Sequence, residues 1–477
     1  MKKLKISKNP TKVALFAGAT ALMALASQSH AQSSDALIDK LVDKGILTSK
    51  EAQELREESD QDFTTAFQTK TGMPDWVTAY KLSGSFRGRF EEYTSPNPTF
   101  VERTRLRYRL LVGVTVAMKG NLETGFQLAS GDPNGNYGGN PNSQSSTFQN
   151  NFSGKSVYIN QAYGKWTPVN SDGWLLSTTI GKMENPFQFT PMVMDVDLTP
   201  EGAAMQGGYT FNDQHSVLLT GAAFVLDEES SSVQDPAMFG GQLIWNANWT
   251  QRLSSSLGLG GFAITSPINL TSATGSGAAG TVPYVNQGNT RKLYNPASNL
   301  ATANYVLANN MTPIIVDASA TYKLDTVPFY TGAFPIKVAG EYIINPGVAQ
   351  NDNQNQGIWG GITFGKAGTK GTWDISYRYE YLEADAWYDA MVDDDNVAYY
   401  QNPLNGAPTG SGTGMVGGTN VKGHLIRADY SITDALTFTF TCYINQLISP
   451  NLNVQPGSVG EPQNNALHVM ADLMWKF

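Results

Sequence analysis

The last ten residues of the chain, HVMADLMWKF (His468–Phe477), alternate between apolar and mostly polar residues. Counted back from the end, every second residue is apolar: Phe477, Trp475, Leu473, Ala471 and Val469. The positions between them are mostly polar and include Lys476, Asp472 and His468. Because successive side chains of a β-strand point to opposite faces, this stretch predicts a strand with one apolar and one polar face.

The same alternation recurs along the chain. Between Arg105 and Met118, leucine, tyrosine, valine and methionine occupy the even-numbered positions, while arginine, glycine and threonine occupy most of the odd-numbered ones. Residues 373–381 and 436–445 repeat the pattern. A soluble β-sandwich and a membrane β-barrel both produce it, with opposite faces turned to water, so periodicity alone leaves both folds open.

The lengths of the connections favour the barrel. The sequence predicts sixteen strands, at residues 80–93, 103–118, 121–130, 155–168, 173–183, 203–211, 214–226, 236–250, 253–266, 311–324, 334–345, 357–367, 371–384, 418–432, 435–447 and 464–477. Connections after odd-numbered strands are mostly long, whereas those after even-numbered strands are mostly tight turns, and this regular alternation with an even strand number is typical of outer-membrane barrels. We therefore predict an all-β fold, a transmembrane antiparallel barrel of about 16 strands over residues 76–477.

Residues 1–31 have the features of a secretory signal peptide. Five lysines precede an apolar run from Val13 to Ala26, and small residues lead to a predicted cleavage after Ala31. An uncleaved membrane anchor is the alternative, but the apolar run is short for a membrane-spanning helix. Removal of this segment lowers the basic residues from 32 to 27 against 41 acidic ones, so the formal net charge changes from −9 to −14. This acidity argues against a nucleic-acid partner, because such proteins neutralise phosphates with Lys and Arg.

Residues 32–75 predict a short periplasmic helical hairpin. Leu37 and Leu41 are spaced four apart, as in a helix, and Thr48 with Glu51 forms a capping box that starts a second helix. Because a short hairpin cannot bury its own apolar stripe well, we expect it to dock on other protomers, the barrel or cell-wall material. A flexible spacer is the alternative.

The sequence predicts no catalytic, cofactor or metal site. Cys442 is the only cysteine, the histidines are scattered, and no metal-ligand spacing occurs. A GxGxxG match at Gly275, Gly277 and Gly280 lies in a Ser/Thr/Ala-rich loop that no helix follows, and GxSxG, HExxH and P-loop motifs are absent. The oxygen-rich segment 345–356 has the side chains for Ca²⁺, but its composition is typical of a solvated loop.

The stretch GKMENPFQFTPMVMDVDLTPEGAAM (Gly181–Met205) resembles a segment of the bacterial family called putative porins. The resemblance lies in the Gly-Lys opening, in Asn185-Pro186-Phe187, and in the succession Asp195, Asp197, Pro200, Glu201-Gly202, while Gln188 departs from a more aromatic preference. The terminal phenylalanine with its alternating apolar residues also resembles the signature by which outer-membrane barrels are handed to their insertion machinery. These resemblances imply a barrel with a pore in a Gram-negative outer membrane, and no particular solute.

The resemblance also implies a constriction. In sixteen-stranded porins the third long loop folds into the barrel, whose lumen is too wide for wall side chains to fill. Here that loop is 184–202, and Asp195, Asp197 and Glu201 are its predicted acidic edge. Facing it, we predict an arginine lining formed by Arg87, Arg89, Arg105, Arg107, Arg109, Arg378 and Arg427. Opposed charges would create a transverse field that sorts permeants; alternatively, these groups pair with each other and only fill the interior.

The predicted function is passive diffusion of small hydrophilic solutes and ions through a water-filled outer-membrane channel, without enzymatic activity. The expected partners are outer-membrane lipid, the barrel insertion machinery and two further copies of the chain in a homotrimer. Two alternatives stay open: an adhesin or receptor whose long loops bind ligands while the lumen is blocked, and a barrel hydrolase with dispersed catalytic residues.

Overall fold

The computed structural model describes residues 74–98, 100–131, 144–228, 233–270, 272–273, 286–293, 304–349, 353–401, 414–452 and 464–477. One compact unit, Ala79–Phe477, contains the barrel. The predicted signal peptide and the helices of the predicted hairpin lie outside the described residues. Within those ranges the only helix is a single 3-10 turn, Pro267–Asn269, and none is long and apolar enough to cross a membrane.

Sixteen antiparallel strands form one closed sheet, which confirms the predicted strand number and barrel. In chain order they are β1 Val77–Thr94, β2 Arg103–Met118, β3 Leu122–Ser130, β4 Val157–Ser171, β5 Trp174–Lys182, β6 Glu201–Thr210, β7 His215–Val225, β8 Ala237–Asn248, β9 Leu253–Thr265, β10 Ile314–Leu324, β11 Phe334–Ile344, β12 Gln356–Gly365, β13 Trp373–Leu382, β14 Val421–Ser431, β15 Leu436–Leu447 and β16 Ala466–Lys476. Each strand pairs with its neighbours in sequence.

The barrel closes where β1 pairs with β16. The antiparallel register runs from Ser85 opposite Lys476 to Thr94 opposite Leu467. Phe477 continues this seam, because its N–H donates to Gly84 O at 3.1 Å and its C=O accepts from Gly84 N at 2.8 Å. A Cβ at Gly84 would lie 2.5 Å from the Phe477 ring and 2.5 Å from Leu111 O, so only glycine fits beneath the terminal ring.

The connections differ sharply between the two ends of the barrel. At the short-turn end, β4 and β5 are joined by Asp172 and Gly173, both with positive φ, a pair that suits a two-residue hairpin turn. At the long-loop end, the longest connections are 131–156, 266–313 and 383–420. Exposed tryptophans gather at the short-turn end: Trp166, Trp174, Trp249 and Trp475. Such rings prefer a membrane interface.

Short strands organise some of the long loops. Ser146–Thr147 extends the sheet beside β2. Ser272–Ala273, Asn304–Leu307 and Arg291–Leu293 form a separate three-stranded sheet in that spatial order, and Val397–Tyr400 pairs with Gly414–Gly417. In the oxygen-rich loop after β11, Asn345 is fully buried, and its side chain accepts from Thr312 N at 3.1 Å and donates to Asp385 O at 2.8 Å. Asn345 therefore joins the loop after β11 to the segment before β10 and to the loop after β13.

The exposed fractions of the side chains show which face of the strands is turned outward, toward lipid. The apolar positions Leu106, Ile375 and Phe440 are 50%, 48% and 37% exposed on the outside of the barrel. The polar positions of the same strands, Arg107, Ser376 and Thr439, are buried inside at 8%, 3% and 6%. A soluble sandwich would have the opposite arrangement, so the apolar faces are those of a membrane barrel.

Candidate functional site: the barrel lumen

The connection 183–200, which we call the first inserted loop, lies inside the barrel. It leaves β5 and returns in β6, yet Thr190 N donates to Glu341 Oε2 of β11 at 3.0 Å, and Gln188 N donates to Gln242 Oε1 of β8 at 2.8 Å. Glu341 and Gln242 belong to the inner wall and are almost fully buried. These backbone contacts hold the loop against the far wall of the lumen.

Residues 383–401, which follow β13, form a second inserted loop. Trp387 is fully buried, with its ring 4.9 Å from that of Phe262 on β9, and its Nε1 donates to Val193 O of the first inserted loop at 2.9 Å. Further along, Asp393 N donates to Pro191 O at 3.0 Å. The two loops therefore pack as one insert, whose apolar core fills part of the barrel interior.

A cavity of about 850 Å³ remains between this insert and the wall. Five arginines from the barrel strands line it: Arg87, Arg89, Arg109, Arg378 and Arg427. Five aspartates of the inserted loops also line it and are called the acidic rim: Asp195, Asp197, Asp393, Asp394 and Asp395. Positive groups thus come from the wall, and most negative groups come from the insert.

The arginines of β1 and β2 reach the lumen because they occupy alternate positions on the polar face. Arg89 makes a two-pronged contact with Asp472 of β16, at 2.8 Å and 3.0 Å, and its third nitrogen donates to Asp395 Oδ2 at 2.9 Å. Arg109 Nη1 donates to Asp197 Oδ1 at 2.8 Å. These two ion pairs connect the wall to the acidic rim directly.

Arg87 is less fully compensated than its neighbours. Its Nη2 donates to Ser145 Oγ at 2.9 Å, its Nη1 is 3.9 Å from Asp472 Oδ2, and its buried Nε has no hydrogen-bond partner. Both Asp472 oxygens already accept from Arg89. Arg87 therefore contributes positive charge to the cavity with little local neutralisation.

Arg105 and Arg107 lie on the same inner face but do not line the cavity. Both turn to Glu91, a fully buried carboxylate of β1: Arg105 Nε donates at 2.5 Å, and Arg107 Nη1 lies 3.6 Å away. Loss of one partner from such a buried pair costs about 3 to 5 kcal/mol. This cluster therefore holds β1 and β2 together.

The carboxyl groups of the acidic rim are crowded. Asp195, Asp393 and Asp394 each place an oxygen within 4.8 Å of the other two. Burial, and then the charges of Asp393 and Asp197, raise the pKa of Asp195 to about 8. Burial and Asp395 raise the pKa of Asp393 to about 6, and burial with the neighbouring carboxylates raises that of Asp394 well above its usual range. The rim is therefore only partly ionised at neutral pH.

Of the residues predicted to form the constriction, seven line the cavity: Arg87, Arg89, Arg109, Arg378, Arg427, Asp195 and Asp197. Arg378 lies with its guanidinium 5.7 Å from the Trp359 ring centre, and Arg427 pairs with Asp429 at 2.7 Å. Glu201, the third predicted carboxylate, instead pairs with Lys182 at 3.0 Å at an exposed position of β6. It is not among the lining residues.

Sequence reasoning missed the second inserted loop. Its run Asp393-Asp394-Asp395 supplies three of the five rim carboxylates, and the preceding Trp387 and Tyr388 anchor it in the interior. Two adjacent aromatic residues inside a long polar connection were the available signal, because a solvated loop has no need of them. Asp472, on the polar face of the last strand, was also missed.

A family model described as "Putative porin" matches residues 93–459. The chain belongs to this porin family. The porin is thus an outer-membrane protein whose barrel forms a channel. Family and fold are those of a channel rather than of an enzyme.

Solved structures with similar folds include OprB of Pseudomonas putida at high pH, at a TM-score of 0.48 and 11% identity, covering 88% of this chain and 97% of that one. The low-pH structure of the same protein has a TM-score of 0.42 and 10% identity, covering 86% and 96%. A triple mutant of Rhodopseudomonas blastica porin has a TM-score of 0.37 and 10% identity, covering 84% and 100%. No curated protein matches the porin in sequence.

Proposed function

We propose that this porin sorts solutes by charge in the cavity between the arginine lining and the acidic rim. The supporting observation is the arrangement of charge: Arg87 and Arg89 project from β1, whereas Asp195 and Asp395 project from the two inserted loops. Opposed charges on the two sides of a narrow aqueous passage create a transverse field that orders water and favours solutes with a matching dipole.

The inserted loops set the size limit in this proposal. A sixteen-stranded barrel has a lumen that its own wall side chains cannot fill. The first inserted loop is held at Glu341 and the second at Phe262, so the passage is confined to the side of the lumen near β1, β2 and the last strands. Small hydrophilic solutes pass there, while larger ones are excluded.

The proposed trimer, the signal cleavage and the periplasmic segment are the ones predicted from the sequence. We infer cleavage after Ala31, a periplasmic segment over residues 32–75 and a barrel domain over 76–477 that works as a homotrimer. The outward-facing residues Leu473, Trp475 and Phe477, with Val469 and Ala471, support recognition by the barrel insertion machinery. Cross-linking in native membranes tests the trimer, and a band at the monomer mass alone would contradict it.

Planar-bilayer recording tests the proposed channel. We expect steady ohmic current steps, in groups of three if the trimer forms, and a reversal potential in a salt gradient that differs from zero. Swelling of liposomes then compares uncharged, anionic and zwitterionic solutes of similar size. Absence of conductance would contradict the channel and favour the receptor alternative, whereas equal rates for all solutes of one size would contradict charge sorting alone.

A further inference from the structure

His468 is buried inside the seam between the first and last strands. It lies on β16 with 0% of its surface exposed, between the rings of Tyr93, 4.2 Å away and 12° from parallel, and Tyr443, 5.7 Å away and 17° from parallel. No part of the constriction proposed above uses this residue. Its two ring nitrogens nevertheless contact both the barrel wall and a loop residue of the acidic rim.

Both ring nitrogens of His468 face hydrogen-bond acceptors. Nε2 is 3.0 Å from Glu91 Oε1, and Nδ1 is 2.8 Å from the backbone oxygen of Asp395. A backbone carbonyl can only accept, and the Glu91 carboxylate is kept ionised by Arg105, whose Nε donates to it at 2.5 Å. A neutral imidazole has one N–H, so two such contacts require the doubly protonated imidazolium.

We infer that His468 is a positioning residue for the acidic rim. Its imidazolium joins Glu91 of β1 to the backbone of Asp395, and so fixes the second inserted loop beside Arg89. A neutral imidazole at this position would present a lone pair to one of the two oxygens, and that end of the connection would break. The inference rests on the proposed constriction, because the loop that His468 holds carries three of the rim carboxylates.

The charges around His468 are compatible with an imidazolium. Burial alone would raise the pKa of Asp395, but the charges of Arg89 and then His468 outweigh burial and hold it at about 2. Asp395 therefore stays ionised near neutral pH and balances Arg89. The titratable and charged groups that face His468 or its two partners come from three strands and the loop. They are Arg87, Arg89, Glu91 and Tyr93 on β1, Arg105 and Arg107 on β2, Tyr443 on β15, and Asp393, Asp394 and Asp395 on the loop.

Single-channel recording across pH tests this role. In the wild type, we expect the open channel to become noisier as the pH rises, with about tenfold more frequent partial closures, because a charge-assisted hydrogen bond to the loop is lost. His468→Gln cannot carry the charge, so it should have the high-pH behaviour at every pH. His424→Gln is the matched control: His424 lies on the outer face, 2.8 Å from Tyr377 OH, and its loss should leave the profile unchanged.

The outcomes separate this inference from the proposed function. A wild-type chain without conductance contradicts the channel itself. A conducting His468→Gln variant with the wild-type pH profile overturns the positioning role, since the rim carboxylates Asp195 and Asp393, which titrate near neutral pH, are present in both proteins. A wild-type profile that is flat at every pH at which the barrel stays folded also overturns it.

A spectroscopic measurement keeps the inference testable if the variant does not fold. The chain has four histidines, and replacing His30, His215 and His424 by Gln leaves His468 as the only ring to observe. ¹⁵N chemical shifts of this ring in detergent micelles at neutral pH should have the signature of two protonated nitrogens. The signature of a neutral tautomer would overturn the inference.

Discussion

Neutralising Arg87 should shift the ion preference of the channel toward cations. Arg87 lines the cavity, and its nearest carboxylate oxygen, on Asp472, is 3.9 Å away and already bound by Arg89. In Arg87→Gln, the amide can retain a hydrogen bond to Ser145, which accepts from the arginine at 2.9 Å. The substitution therefore removes one positive charge with little change in packing.

The size of the shift follows from the size of the cavity. A volume of about 850 Å³ corresponds to a radius of about 6 Å, which sets the distance between a wall charge and an ion at the centre. At the permittivity of water this charge contributes about 0.7 kcal/mol, and screening at 0.1 M salt reduces it to about 0.4 kcal/mol. Cation occupancy rises about twofold and anion occupancy falls about twofold, so the permeability ratio changes about fourfold.

Reversal potentials in a salt gradient measure this ratio. Asp197→Asn should shift it by a similar amount toward anions, because it releases the Arg109 charge that Asp197 pairs with at 2.8 Å. Arg252→Gln is the control, since Arg252 pairs with Asp325 at exposed positions that do not line the cavity. If Arg87→Gln behaves like Arg252→Gln, the arginine lining does not govern permeation.

Three other outcomes are expected. Trp387→Ala should remove about 3 to 5 kcal/mol of packing energy from the junction of the inserted loops and give larger, noisier conductance steps. Trp249→Ala, at the short-turn end, should leave the conductance steps unchanged. Unchanged steps in Trp387→Ala would contradict the anchoring role of Trp387. Gly84→Val should prevent closure of the seam and lower the folded fraction in electrophoresis of unheated samples, while Gly88→Val, where an added Cβ has no neighbour within 4 Å, should fold normally. Equal folded fractions would contradict the close approach of the terminal ring. Because the pKa of Asp195 is about 8, its carboxyl group ionises as the pH rises through that value, and the added negative charge should increase the preference of the channel for cations. Asp195→Asn should reduce this increase, as measured by reversal potentials. An identical pH dependence in the variant would refute the prediction.

The sixteen strands, their two faces and the alternation of short and long connections could all be predicted from the sequence. These features follow from local physics: side chains alternate with a period of two, and turn residues such as Asp172-Gly173 select a tight hairpin from their own backbone preferences. The same period of two predicts Arg87, Arg89 and Arg109 on the inner face without any knowledge of tertiary contacts.

Which of those inner residues meet in a site depends on tertiary packing. Arg105 and Arg109 occupy equivalent positions of one strand, yet the first binds Glu91 and the second reaches Asp197, because the inserted loops approach only part of the wall. The burial of Trp387 and the contact of His468 with Asp395 join segments far apart in the chain. The adjacent aromatic residues Trp387 and Tyr388 can signal that the loop is buried. Their partners depend on how the long loop packs across the closed barrel, and the local sequence does not encode that packing.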